Sequence, residues 1–152
     1  MKKILLTLII CFLSLHSFSA LANENEITVT VNGEVLSTPI SAEIVNNRTM
    51  LPMRSIFESL GADVTWFEKD RIIFATKDNT LITLKIDVPV MSVQTVDSEG
   101  NSSVELDTAP FIYNNYTLVP ARAVAEALDA RVEWVAETKT VVITTDSGEV
   151  EE

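Results

Sequence analysis

Apolar residues recur along this chain in two rhythms. From Pro52 onward, Met53, Ile56, Phe57 and Leu60 share one helical face, and Gly61 stands where a left-handed C-cap is needed. The period then changes to two. Ala62, Val64 and Trp66 point one way while Asp63 and Thr65 point the other, which predicts a half-buried strand. The same succession returns further on. Ala121, Val124, Ala125 and Leu128 share a helical face, and Ala130, Val132 and Trp134 alternate with Arg131 and Glu133. Asp129 replaces the capping glycine in this second stretch, a weaker C-cap.

The two stretches are copies. NNRTMLPMRSIFESLGADVTW (46–66) and NNYTLVPARAVAEALDARVEW (114–134) lie 68 positions apart and agree at 10 of 21 positions. Unrelated segments would agree at about one, so an internal repeat is expected, with units of about 27–86 and 88–145. Each copy opens on an Asn-Asn pair suited to left-handed turn positions. Pro52 and Pro120 then suit a first helical position, where a missing N–H costs nothing.

Strands are expected around these units at 27–31, 71–76, 81–86, 91–96, 103–106 and 140–145. Asn32-Gly33 and the stretch 77–80 read as hairpin turns, and 97–101 as a polar turn. Two helices cannot cover both faces of a sheet this large. The predicted fold class is therefore α+β, with antiparallel sheets packed on two short helices and built from two homologous repeats.

Two residue types invite a functional question. Trp66 and Trp134 are in phase with the apolar face, which predicts core packing; a sugar-stacking platform would instead need an exposed ring. Arg54 and Arg122 put a cation in the first helical turn, the wrong end of the helix dipole. Glu58 and Glu126 follow at i+4, so each guanidinium is expected to tie its helix start to that glutamate and to turn carbonyls. The functional alternative is an anion site.

The chain's beginning changes the picture of the compartment. Lys2 and Lys3, an apolar run over 4–15 and Ala20-Leu21-Ala22 form a secretory signal peptide, with cleavage expected after Ala22. Residues 23–152 would then form one domain, ending in an acidic tail from Asp146. Cys11 and His16, the only cysteine and histidine, fall within the leader. Cleavage leaves 9 basic residues against 22 acidic, a net charge of −13, so no nucleic-acid partner is expected. The processed chain would lack thiolate and imidazole, and its carboxylates are too many for any pair to stand out as catalytic. No catalytic, metal or cofactor-binding residue is singled out.

The doubled pattern resembles the copper amine oxidase N-terminal domain, or stalk domain, family of secreted proteins of Gram-positive bacteria. Pro52, Arg54, Glu58, Leu60 and Trp66, with Pro120, Arg122, Glu126, Leu128 and Trp134, carry the likeness, which spans about 27–145. It implies a non-catalytic accessory module without a cofactor. Copper in the oxidases themselves is held by three histidines of another domain. Asn115-Tyr116-Thr117 matches only the first two letters of their quinone-forming Asn-Tyr-Asp/Glu sequence. The expected function is a secreted, non-catalytic stalk or interaction module that binds or spaces at the cell envelope, with protein or cell-wall glycan as partner. The alternative is a soluble inhibitor or partner subunit of a secreted enzyme.

Overall fold

The computed structural model of the chain describes residues 26–96 and 101–146. The expected signal peptide, most of the polar turn at 97–101 and the end of the acidic tail lie outside them. Strands β1 (Thr28–Val31) and β2 (Glu34–Val35) come first, followed by the hairpin β3 (Glu43–Val45) and β4 (Arg48–Pro52), helix α1 (Met53–Ser59) and β5 (Asp63–Phe67). Strands β6 (Ile72–Lys77), β7 (Thr80–Lys85), β8 (Val90–Thr95) and β9 (Asn101–Glu105) follow. A second hairpin, β10 (Phe111–Tyr113) and β11 (Tyr116–Pro120), leads into α2 (Ala121–Ala127), β12 (Ala130–Val135) and β13 (Thr140–Thr145). Mostly antiparallel sheets with two helices make this an α+β fold, as the sequence pattern implies.

The turns follow their residues. Asn46 and Asn47 have φ of 51° and 60°, and Asn114 and Asn115 have 48° and 66°, so both hairpins close through two left-handed residues. That geometry matches strand twist, and asparagine tolerates it better than most side chains. Gly61 and Asp129 both end their helices with positive φ, 77° and 59°. The prolines sit one residue earlier than expected. Pro52 (ψ 124°) and Pro120 (ψ 113°) occupy the N-cap positions and are still extended, because each is the last rung of its strand.

Three sheets are present, with strand orders β12-β13-β1-β2, β10-β11-β4-β3 and β5-β6-β7-β8-β9. In the second of these, β4 and β11 are antiparallel, with Met50 opposite Pro120, Leu51 opposite Val119 and Pro52 opposite Leu118. Leu51 and Val119 are counterparts in the two similar segments. The register therefore runs as it would about a local twofold axis passing between them.

One pairing departs from the all-antiparallel expectation. β1 runs parallel to β13, with Thr28 opposite Thr140 and Val31 opposite Ile143. The hairpin β1–β2 precedes the first hairpin–helix unit yet completes the sheet of the second. Likewise β8–β9 precede the second unit and complete the sheet of the first. On that side β7 stands between β6 and β8, so these two strands also share a direction. The two halves thus differ by one inserted strand.

Both helices have seven residues, too few to persist in water alone, so packing holds them. Met53, Ile56, Phe57 and Leu60 are buried, as are Ala121, Val124, Ala125 and Leu128, in one core shared with β1, β6, β7 and β13. Trp66 is half-buried against that core. Trp134 is not a core residue. Its side of β12 faces an opening where Trp66 faces packed side chains, and it is 44% exposed.

Candidate functional site

That opening is a groove of about 680 Å³ beside α2. One wall is the helix and β12, contributing Ala121, Arg122, Ala123, Glu126, Ala127, Val132, Glu133 and Trp134. Facing it are Met91 and Val93 of β8, Ser102, Val104 and Glu105 of β9, and the following Leu106 and Asp107. The β3–β4 hairpin closes the end with Ile44, Asn47, Arg48 and Thr49.

Side-chain volume explains why space is left here. Ala121, which lines the groove, stands where α1 carries Met53; Ala125, where α1 carries Phe57, is fully buried in the core. A smaller side chain at that wall position leaves room unless the backbone closes in. The neighbouring sheet cannot simply follow, because inserted β7 places β8–β9 one strand spacing, about 4.8 Å, further from β6 than β1 lies from β13.

Cross-links fix the hairpin to the chain after β9. Arg48 Nε lies 2.6 Å from Asp107 Oδ2 and Nη2 lies 2.5 Å from the same oxygen. The Thr108 hydroxyl, buried, donates to the Val45 carbonyl at 3.2 Å and accepts from Asn46 Nδ2 at 3.4 Å. These bonds span about sixty residues of sequence and set one wall against the other.

The groove mixes charge with apolar surface. Ile44 and Val104 are 54% and 38% exposed, unusual for strand aliphatics. Arg122 lies 3.9 Å from Glu126, as Arg54 does from Glu58, and these guanidinium side chains are 58% and 60% exposed. At that distance and exposure each pair contributes little. The expected tie of Arg54 and Arg122 to their glutamates exists, but as a loose surface pair. Glu105 and Glu133 alternate with Val104 and Trp134 along their strands, so their side chains lie on the faces of β9 and β12 turned away from the groove.

The residues marked by the repeated pattern therefore separate. Pro52, Leu60, Pro120 and Leu128 are buried structural positions, and Arg54, Glu58 and half-buried Trp66 flank α1. Pro120, Arg122, Glu126 and Trp134 come together in the groove. Ile44, Arg48, Val104, Glu105, Asp107 and Glu133 were not singled out from sequence. Their strands show no distinctive spacing, and only the alanine-rich face of α2 marked the space they surround.

The copper amine oxidase N-terminal domain family matches residues 30–143, three quarters of the chain. The chain belongs to this family. In copper amine oxidases the N-terminal domain is non-catalytic and stalk-like. The groove beside α2 is thus a feature of a copper amine oxidase N-terminal domain. Comparison with curated proteins and with solved structures returned no match. Among the described residues no three His, Cys, Asp or Glu side chains gather as a metal site, and no helix is long and apolar enough to cross a membrane.

Proposed function

We propose that this chain is a secreted, non-catalytic stalk module that binds at the bacterial cell envelope, with the α2 groove as its binding surface. The observation that carries the reading is Trp134. Its counterpart Trp66 packs against the core, whereas Trp134 places a large amphipathic ring at the edge of an open groove. A half-exposed tryptophan adds less to folding than a buried one, and tryptophan recurs at the centres of binding surfaces. The two hairpin–helix–strand units are read as homologous copies, of which one keeps the packed form and the other has opened. The leader at the start of the chain supports export, with cleavage after Ala22.

Sedimentation with purified cell wall, followed by mass spectrometry of the bound material, tests this. The expected result is co-sedimentation that Trp134→Ala removes and Trp66→Phe does not. A chain that stays in the supernatant and instead co-purifies with one secreted enzyme would replace the envelope reading with that of a partner subunit.

A further inference from the structure

We infer that Asn32 is a site of covalent modification, at which water converts the side-chain amide to a carboxylate through a cyclic imide formed with Gly33, and that Thr145 governs the rate. The site stands apart from the groove, since Thr145 ends β13 away from the groove-lining Val141. The chain has nine asparagines, and only Asn32 is followed by glycine. That neighbour matters because the attacking group is the next residue's backbone nitrogen, least hindered where there is no side chain. A Cβ built on Gly33 would meet nothing within 4 Å, so no other part of the chain crowds the turn. Asn32 and Gly33, with φ of 51° and 84°, make up the whole β1–β2 turn, and Val31 stands opposite Glu34.

The chemistry consumes only water. The Gly33 nitrogen gives its proton to solvent base and bonds to Asn32 Cγ. The Cγ–Nδ2 bond then breaks, and ammonia leaves with a proton returned by solvent, closing a five-membered imide. Water opens the ring at either carbonyl. Attack at Cγ leaves the main chain in its old course with an aspartate side chain. Attack at the former backbone carbonyl carbon routes the chain through Cβ and Cγ, an isoaspartate with one more backbone carbon.

The restraint on this reaction lies in the amide's own partners. Thr145 N–H donates to Asn32 Oδ1 at 2.9 Å, and Asn32 Nδ2 donates to the Thr145 hydroxyl at 2.9 Å. Both ends of the carboxamide are held against the last residue of β13, and ring closure must turn it back onto Gly33, so this clamp opens first. The same clamp fastens the β1–β2 hairpin to the end of the parallel pair, where Asn32 N–H also donates to the Ile143 carbonyl at 2.9 Å. The two products therefore differ. Aspartate keeps Oδ1 in place, and the Thr145 hydroxyl, 3.2 Å from it, donates to the carboxylate. In isoaspartate the free carboxylate sits directly on Cα, one carbon short of Thr145, and the extra backbone atom disrupts the two-residue turn.

Peptide mapping of the full chain by mass spectrometry, during prolonged incubation at mildly alkaline pH, tests the inference. Asn32 is expected to convert ahead of the other eight asparagines, including Asn101, which precedes a serine in exposed β9. Thr145→Val deletes the hydroxyl but keeps the backbone N–H, and should raise the rate roughly three- to tenfold. Thr145→Ser restores the hydroxyl and should return the rate to near the wild-type value. In denaturing urea all three chains should convert alike. Asn32→Asp should keep the protection of the Thr145 amide against hydrogen exchange, whereas the isoaspartate fraction, separated by chromatography, should lose it. Conversion led by another asparagine overturns the inference, as do equal folded-state rates for wild type and Thr145→Val, or a Thr145→Ser rate as high as that of Thr145→Val.

Discussion

The two tryptophans give a direct measurement of the difference between the halves. Trp66 is packed against the core and Trp134 is 44% exposed in the groove. A tryptophan covers at most about 250 Å², so Trp134 buries about 140 Å², worth an upper limit of about 3.5 kcal/mol at about 25 cal/mol per Å². Alanine keeps part of that contact, the unfolded chain already hides some of the area, and groove water fills the vacated space. Trp134→Ala should therefore cost about 2 kcal/mol. Trp66→Ala removes an indole from against the core and leaves a cavity there, so it should cost about 3–5 kcal/mol. Urea denaturation monitored by far-UV circular dichroism supplies both numbers. Because the chain has only two tryptophans, each variant also isolates the other's fluorescence. Trp134 alone should emit further to the red and be quenched more steeply by acrylamide. Equal quenching, or equal loss of stability, would show that Trp134 is packed like its counterpart and that the groove is not a surface.

Three further outcomes follow from local geometry. Thr108→Val removes the hydroxyl that donates to the Val45 carbonyl and accepts from Asn46, and should cost about 1–2 kcal/mol by thermal denaturation while keeping the same shape. Gly61→Ala places a side chain at φ 77° where no atom lies within 4 Å of the new Cβ, so the cost is conformational alone, about 1 kcal/mol. Arg48→Ala breaks an exposed pair with Asp107 and should cost about 0.5–1 kcal/mol at low salt, shrinking toward zero in 1 M sodium chloride.

Most of the fold was legible because it is written in local patterns. The helical faces, the Asn-Asn turns and the alternation that ends in each tryptophan act over a few residues, and the structure keeps all of them. β3 and β10 were missed because three residues are too few to show alternation. The parallel pairing of β1 with β13 joins residues more than a hundred positions apart, and no periodicity encodes it. Trp134 misled for a related reason. Periodicity reports which face a residue lies on, and burial depends on whether anything stands opposite. A comparison of volumes carries part of the missing signal: where α1 has Met53, α2 has the groove-lining Ala121.

A fold arranged about a local twofold axis would present two equivalent surfaces, and this one does not. Several differences between the halves fall beside the groove. Ala121 lines the groove where Met53 stands in α1, and β7 holds β8–β9 away from the position that β1–β2 take on the other side. Arg48, whose counterpart is Tyr116, meets Asp107 and braces the hairpin that closes the groove's end. An exposed indole on the apolar face of β12 departs from the rule that local pattern and global burial agree. Such departures collect where a protein uses its surface rather than where it holds itself together. Both helices share one core, and within it the first half packs Phe57 and Trp66 while the second leaves Trp134 at the groove.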